Sequence, residues 1–167
     1  YKGGTYPGTG GNCAASLTAA ATCTVVVTYN PTTTGTQNSS VDISYNDGAT
    51  TQTSSRPVTG TSTGPASLSI SDGATYDYGS VATGSSNDHT FTITNGGGFS
   101  ATTMAGSGIA APYTYKGGSY PGTGGTCSAT LAASGTCTIV VNFSPAGSGT
   151  HNDSITISYN DGAGAQS

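Results

Sequence analysis

Hydrophobic and polar residues alternate along several short stretches of the chain. The clearest stretches are residues 22–29 and 136–143, and the same period of two recurs over residues 41–45 and 155–159. These segments are rich in Val, Ile, Thr, Tyr and Phe, and such residues in alternation are typical of half-buried β-strands. No stretch shows a helical period. The pattern therefore predicts an all-β fold.

Turn residues follow two of the predicted strands. Asn-Asp-Gly stands at residues 46–48 and again at residues 160–162. These residue types tolerate the positive φ of tight hairpin turns, so a hairpin is predicted at each place.

An internal repeat organises the chain. A shift of 114 residues aligns residues 1–53 with 115–167 without a gap, and 32 of the 53 pairs are identical. A repeat of this length matches a complete sandwich domain rather than a solenoid turn. We therefore interpret the chain as one and a half copies of a tandem β-sandwich repeat of about 114 residues. Residues 1–61 are assigned to the C-terminal part of a first repeat, 62–65 to a linker, and 66–167 to a second repeat that lacks its last strand.

The alternating apolar residues define an expected core for each copy. In the second copy the expected core residues are Leu68, Ile70, Phe91, Ile93, Leu131, Ile139, Val141, Phe143, Ile155, Ile157 and Tyr159. In the first copy they are Leu17, Val25, Val27, Tyr29, Val41, Ile43 and Tyr45, on the condition that the front half of that domain is present.

The second copy resembles a known family. Residues 76–84 and 91–97 resemble the opening of Hydin-type (ASH) immunoglobulin-like repeats, which read as aromatic-Gly-x-Val, a glycine, and a strand ending in Asn-x-Gly. Residues 127–149 are similar to the bacterial surface-protein version, the choice-of-anchor D repeats, and residues 58–61 resemble the family's last strand. The resemblance implies a seven-stranded immunoglobulin-like sandwich in large secreted or surface-anchored proteins. It implies no reaction.

Composition narrows the range of partners. Thr, Ser and Gly supply 81 of the 167 residues, only 6% are charged, and the net charge is −4. The three cations, Lys2, Arg56 and Lys116, form no basic patch for nucleic acid or anionic lipid. No apolar run reaches the roughly 18 residues of a membrane span. We therefore expect no nucleic-acid partner and no membrane span in this segment.

Each copy carries one pair of cysteines, Cys13 with Cys23 and Cys127 with Cys137. Two thiols per copy, with no His nearby, cannot supply the four ligands of structural zinc. Free buried thiols are the ordinary alternative. In a chain that otherwise looks extracellular, one disulfide within each copy is favoured, and it would pin the Gly-rich loop to a core strand.

Residues able to support catalysis are few. His89 and His151 lie near aspartates but have no repeated partner, since the first copy carries Gln37 in place of His151. Most aspartates stand in turn sequences. An ordinary turn is therefore favoured over a calcium site at these positions. The Gly-rich segment 2–11 lacks the Lys-Ser/Thr ending of a phosphate loop. The sequence predicts no enzyme activity, no metal site and no cofactor.

Two of the three cations are equivalent residues, Lys2 and Lys116. Lysines in immunoglobulin-like pilus and adhesin domains can form isopeptide bonds with Asn or Asp, assisted by an acid. The acid here would be Asp, because the chain contains no Glu. Both lysines are candidates for such a bond, and a lysine that caps a loop is the alternative.

Three sequons are candidates for N-glycosylation: Asn38, Asn142 and Asn152. Asn38 and Asn152 occupy equivalent positions of the repeat. Chance occurrence in a chain rich in Ser and Thr is the alternative.

The favoured function is a structural repeat of an extracellular or cell-surface fibre, sheath or adhesin stalk, in contact with further copies of itself. The alternative is a module that binds glycans or host surfaces through its Tyr/Gly-rich loops. Its candidate contacts are Tyr1, Tyr6, Tyr115 and Tyr120, since aromatic faces stack on sugars. Because half a sandwich exposes an apolar face and an open edge, we also expect the chain to be part of a longer polypeptide.

Overall fold

The computed structural model describes residues 1–167 and is all β. Its strands are β1 Gly35–Asn46, β2 Thr51–Ser62, β3 Leu68–Ile70, β4 Asn87–Asn95, β5 Thr102–Ser107, β6 Tyr113–Tyr115, β7 Thr136–Phe143, β8 Thr156–Asn160 and β9 Ala165–Gln166. Contacts within the chain divide it into a first unit, Tyr1–Ser62, and a second unit, Thr63–Ser167. The structure has no helix of the length and apolarity that a membrane crossing requires.

The first unit contains one long antiparallel hairpin. Strands β1 and β2 pair from Gly35 opposite Ser62 to Asn46 opposite Thr51. The connecting turn is held by side chains, because Asn46 Oδ1 accepts a hydrogen bond from Gly48 N at 2.8 Å and Asp47 Oδ1 accepts one from Ala49 N at 2.8 Å. The equivalent turn, after Asn160, is bonded in the same way. Both predicted hairpin turns are therefore present.

The second unit is a sandwich of two antiparallel sheets. One sheet has the strand order β3-β4-β7-β6 and the other has the order β5-β8-β9. The alternating residues of β4 and β7 face the interior, where Ile93 and Ile139 are fully buried and Val141 is 1% exposed. Burial of each such large side chain contributes on the order of 1.5–3 kcal/mol. The predicted register of these two strands is confirmed.

The remaining core predictions divide between the middle and one edge of the sandwich. Predicted core residues that are also buried are Phe91, Leu131, Phe143 and Ile157. Those that are only partly buried are Leu68, Ile70, Ile155 and Tyr159. Several of the partly buried residues line cavities at the edge of the sandwich between β3 and β8.

The strand predicted over residues 22–29 is not formed, which corrects the sequence-based expectation. Its counterpart β7 is hydrogen-bonded on both sides, to β4 and to β6. The first unit contains no strand equivalent to β4, so residues 22–29 have no such partner. For the same reason Val27 and Tyr29 are 48% and 49% exposed.

Asn95, at the end of β4, joins several backbone segments of the second unit. Its side chain is fully buried. The amide donates to the carbonyl oxygens of Phe99, Leu131 and Ala132, and Oδ1 accepts from the backbone amides of Ser67 and Gly97. Every donor and acceptor of the Asn95 side chain is therefore bonded within the protein, without water.

Candidate functional site: the glycine- and tyrosine-rich loop

The candidate site is a loop that occurs once in each unit, at residues 1–13 and at residues 115–127. We call it the Gly/Tyr loop. A disulfide closes each copy and joins the predicted cysteines, Cys13 to Cys23 and Cys127 to Cys137, with a Cα–Cα distance of 4.8 Å in both. No cysteine is free. The loop is therefore tied covalently to the start of β7 in the second unit.

Backbone hydrogen bonds hold the loop against β7. Lys116 N donates to Val140 O at 2.9 Å, and Val140 N donates to Pro121 O at 2.8 Å. These bonds hold the loop along the edge of β7. Val140 is only 6% exposed although the alternation places it away from the core, and a Cβ on Gly124 of the loop would lie 4.0 Å from Val140 Cγ2. The first unit repeats the pair of bonds with Lys2, Val26 and Pro7, at 3.0 and 2.9 Å.

One glycine makes this close approach feasible. Gly122 has φ +90°, and a Cβ atom built on it would lie 2.2 Å from Val140 O. The equivalent Gly8 has the same φ, and its Cβ would lie 2.1 Å from Val26 O. Any side chain at these positions would displace the loop from the strand.

The tyrosines of the second Gly/Tyr loop belong to the core. Tyr115 is 7% exposed, and its ring meets that of Tyr120 edge to face with centroids 5.6 Å apart. Both rings pack on Gly106 of β5, where a Cβ would lie 2.2 Å from Tyr115 Oη. Burial, followed by the neighbouring Tyr120, raises the pKa of Tyr115 to about 12. The ring of Tyr115 therefore has no free face on which a sugar could stack.

The equivalent tyrosines of the first loop are exposed. Tyr1 and Tyr6 meet edge to face at 5.5 Å, as their counterparts do, but they are 42% and 43% exposed. The difference arises because the first unit has no strand equivalent to β5 to cover them. Among the predicted glycan contacts, Tyr1 and Tyr6 alone present much of their rings to solvent.

Lys116 lies beside the two groups that an isopeptide bond would need. Its Nζ is 2.7 Å from Asp88 Oδ2, and Asn142 Nδ2 donates to Asp88 Oδ1 at 2.6 Å. The hydrogen bond from Lys116, followed by that from Asn142, lowers the pKa of Asp88. The lysine side chain is 46% exposed, so the group lies at the surface. In the first unit Thr28 stands at the position of Asn142, so Lys2 lacks the matching carboxamide.

The sequons differ in accessibility. Asn38 and Asn152 are exposed, on β1 and in the loop before β8. Asn142 is partly buried on β7, and its amide nitrogen, the atom a glycan would occupy, is bonded to Asp88. The structure thus favours the two equivalent sequons over the third.

The histidines form no hydrolytic triad. His89 Nε2 lies 3.1 Å from Asp72 Oδ2, and the ring stacks on Tyr76 at 3.6 Å. Ser71 Oγ donates its hydrogen bond to Asp72 and not to His89. In a catalytic triad the serine would donate to the histidine, so these three residues do not form one. No group of three or more His, Cys, Asp or Glu side chains could hold a metal ion.

One known protein family matches the chain. A family model described as HYDIN/CFA65/VesB-like, Ig-like domain matches residues 68–167. The match spans the whole sandwich of the second unit, with its Gly/Tyr loop and disulfide. Comparison with curated proteins and with solved structures gave no match.

Proposed function

Because the chain belongs to the HYDIN/CFA65/VesB-like family of Ig-like domains, we propose that it is a structural repeat of an extracellular fibre, sheath or adhesin stalk. Such a stalk is a string of disulfide-pinned β-sandwiches whose role is to hold distance and resist unfolding. Its partners are further copies of the same repeat along the fibre.

The observation that carries the proposal is the duplicated Gly/Tyr loop. The two loops stand 114 residues apart and share the disulfide, the buried glycine and the backbone bonds to the next segment. A ring of this size stabilises a domain by roughly 2–3 kcal/mol. Reinforcement repeated in every copy suits a protein whose task is mechanical.

Two further features support a location outside the cytoplasm. Disulfides persist in oxidising compartments such as the cell exterior. Only 6% of the residues are charged, so neighbouring copies can pack side by side with little like-charge repulsion. Hydroxyl groups of Ser and Thr keep such a surface wetted.

Immunogold electron microscopy on intact cells of the source tests this role. Antibodies against the whole chain are expected to label surface filaments at regular intervals without permeabilisation. Labelling that requires permeabilised cells would overturn the proposal.

A glycan-binding module remains the second candidate because Tyr1 and Tyr6 are exposed together. A glycan array with the full chain discriminates the two functions. Saturable binding that is lost in Tyr6→Ala and retained in Tyr45→Ala would favour the module, since Tyr45 is 50% exposed but lies outside the loop. Absence of binding to all glycans favours the structural role.

A further inference from the structure

The last residue of β4 is joined to a glycine, and Asn95-Gly96 is the one Asn-Gly pair in the chain. In such a pair the backbone nitrogen of the glycine can attack the side-chain carboxamide of the asparagine. A glycine obstructs this attack least, because it has no side chain and adopts many backbone conformations. Asparagine is a thermolabile residue for this reason. The pair therefore carries a reaction that needs water alone.

The reaction exchanges one bond of the side chain for another. The Gly96 nitrogen forms a bond to Asn95 Cγ, and the bond from Cγ to Nδ2 breaks. The proton of the Gly96 amide passes through water to Nδ2, which leaves as ammonia. The succinimide ring that results takes up one water molecule, which opens it at either carbonyl. The products are an aspartate and an isoaspartate, whose backbone runs through the side-chain carboxyl.

Hydrogen bonds of the folded unit hold the reacting atoms apart. Gly96 N, the attacking atom, donates to Ser67 O at 2.8 Å. Asn95 Nδ2, the leaving group, donates to three backbone carbonyl oxygens at 2.8, 3.2 and 3.1 Å. Asn95 Oδ1 accepts from two backbone amides at 3.1 and 3.0 Å. Rotation of the carboxamide toward Gly96 N would break all five side-chain bonds.

The site also excludes the water that the reaction consumes. Asn95 is 0% exposed and is one of the largest fully buried side chains of the protein. Bonds broken in such a place are not replaced by bonds to solvent, so the cost of breaking them is high. The reaction therefore requires that this part of the second unit opens.

Neither product can restore the original contacts. An aspartate lacks the donor for the three carbonyl oxygens and brings a carboxylate into a buried site. An isoaspartate lengthens the backbone at the point where Leu68 of β3 pairs with this residue of β4. A chain that has reacted while open therefore does not regain the native packing.

We propose that Asn95 is a spontaneous modification site that the fold keeps closed: it deamidates when the second unit opens, and the reaction makes that opening irreversible. The lifetime of the unit is then set by how often it opens rather than by its equilibrium stability. The inference does not rest on the fibre role, because it needs only this site and water.

The first test compares the full chain in mildly alkaline buffer with the same chain unfolded in urea. Peptide mapping by mass spectrometry follows the replacement of NH₂ by OH at each asparagine. We expect Asn95 to react at least about tenfold faster in urea, where its protection by the fold is lost, and faster there than every other asparagine. No cysteine is free to start disulfide exchange during the incubation. Equal rates at Asn95 with and without urea would overturn the proposal.

Gly96→Ala is the matched variant. Gly96 does not have a positive φ, and a Cβ on it would meet nothing closer than Ser67 O at 3.9 Å. Alanine therefore fits the folded unit, while its methyl group obstructs the attack in the unfolded chain. We expect the variant to deamidate at Asn95 clearly more slowly in urea.

Refolding gives the second readout. Both chains are held in urea for increasing times and diluted, and hydrogen-exchange protection of β4 is measured. Recovery should fall in step with modification of Asn95 in the unsubstituted chain and stay nearly constant in Gly96→Ala. Equal loss in both chains would overturn the proposal.

A third readout needs no variant. After dilution of the unsubstituted chain, a short pulse of protease cleaves the chains that have not refolded, and intact and cleaved chains are mapped separately. Modified Asn95 is expected among the cleaved chains. Modification that is equally frequent among the intact chains would show that the product refolds, which would overturn the proposal.

Discussion

At the scale of single residues, Asn95 and Gly122 determine how segments of the second unit meet. Asn95 is buried among five backbone groups and bonds to all of them. Gly122 is buried against Val140 O with no room for a side chain. Asn95 joins the segments through its side-chain hydrogen bonds. Gly122 lets the loop approach β7 because it has no Cβ.

Replacement of Asn95 by Asp should destabilise the second unit strongly. The substitution removes the donor to three carbonyl oxygens and places a carboxylate in a buried site. We expect the free energy of unfolding to fall by about 2–4 kcal/mol in urea titrations. Asn87→Asp, at the exposed start of the same strand, is the control and should change it by less than about 0.5 kcal/mol. Equal effects for the two variants would contradict the role assigned to Asn95.

Gly122→Ala and Gly124→Ala form a matched pair, since the two glycines have φ of +90° and +91°. Both substitutions carry the left-handed backbone penalty of roughly 1–2 kcal/mol. A Cβ on Gly124 meets nothing closer than Val140 Cγ2 at 4.0 Å, whereas one on Gly122 would collide with a carbonyl oxygen. We expect Gly122→Ala to lower the free energy of unfolding clearly more than Gly124→Ala. Identical losses would show that the loop does not depend on close contact with β7.

At the scale of elements, the same sequence pattern has two outcomes. Residues 136–143 form β7 because strands lie on both sides, while residues 22–29 form no strand although the two segments share five identical residues. The backbone hydrogen bonds of the Gly/Tyr loop recur in both units, because they are made to the adjoining segment. Local contacts thus build the loop, and non-local partners build the strand.

The disulfide of the second loop should contribute to the stability of its own unit. The double variant Cys127→Ala with Cys137→Ala is expected to lower the free energy of unfolding of the second unit by roughly 2–3 kcal/mol, because the loop-closure constraint on the unfolded chain is removed. Cys13→Ala with Cys23→Ala is the matched control and should leave hydrogen-exchange protection of β4 and β7 unchanged. Loss of that protection in the control would contradict a contribution confined to one unit.

At the scale of the whole molecule, two disulfides join the two Gly/Tyr loops to the segments that follow them. Each unit is closed by its own disulfide. The lysine in the second loop is held in an ion pair with Asp88. Asn142 is bonded to the same carboxylate, so Lys116 stays a candidate for an isopeptide bond.

Intact-mass measurement tests which cross-links the chain contains. Alkylation of the native protein should label no cysteine, and alkylation after reduction and denaturation should label all four cysteines. The mass of the fully reduced chain should equal that of the sequence if Lys116 stays in its ion pair with Asp88. A reduced mass lower by one ammonia would instead establish an isopeptide bond, and Asn142→Ala would abolish that deficit.

The sequence by itself determined the features that depend on neighbours along the chain. The period of two in β4 and β7, the Asn-Asp-Gly turns and the paired cysteines were all predictable, because each depends on local geometry or on short loops. The resemblance of residues 58–61 to the family's last strand likewise placed a strand where β2 lies.

The tertiary structure alone decided which predicted residues are covered. Tyr115 is buried and Tyr1 is exposed although they are equivalent in sequence, because β5 with Gly106 covers the first of the two. Val140 is buried on the face that its alternation assigns to solvent, where the Gly/Tyr loop lies beside it. Lys116, Asp88 and Asn142 meet although up to 54 residues separate them along the chain. Burial and non-local contact depend on what lies opposite, and a linear pattern carries no information about that partner.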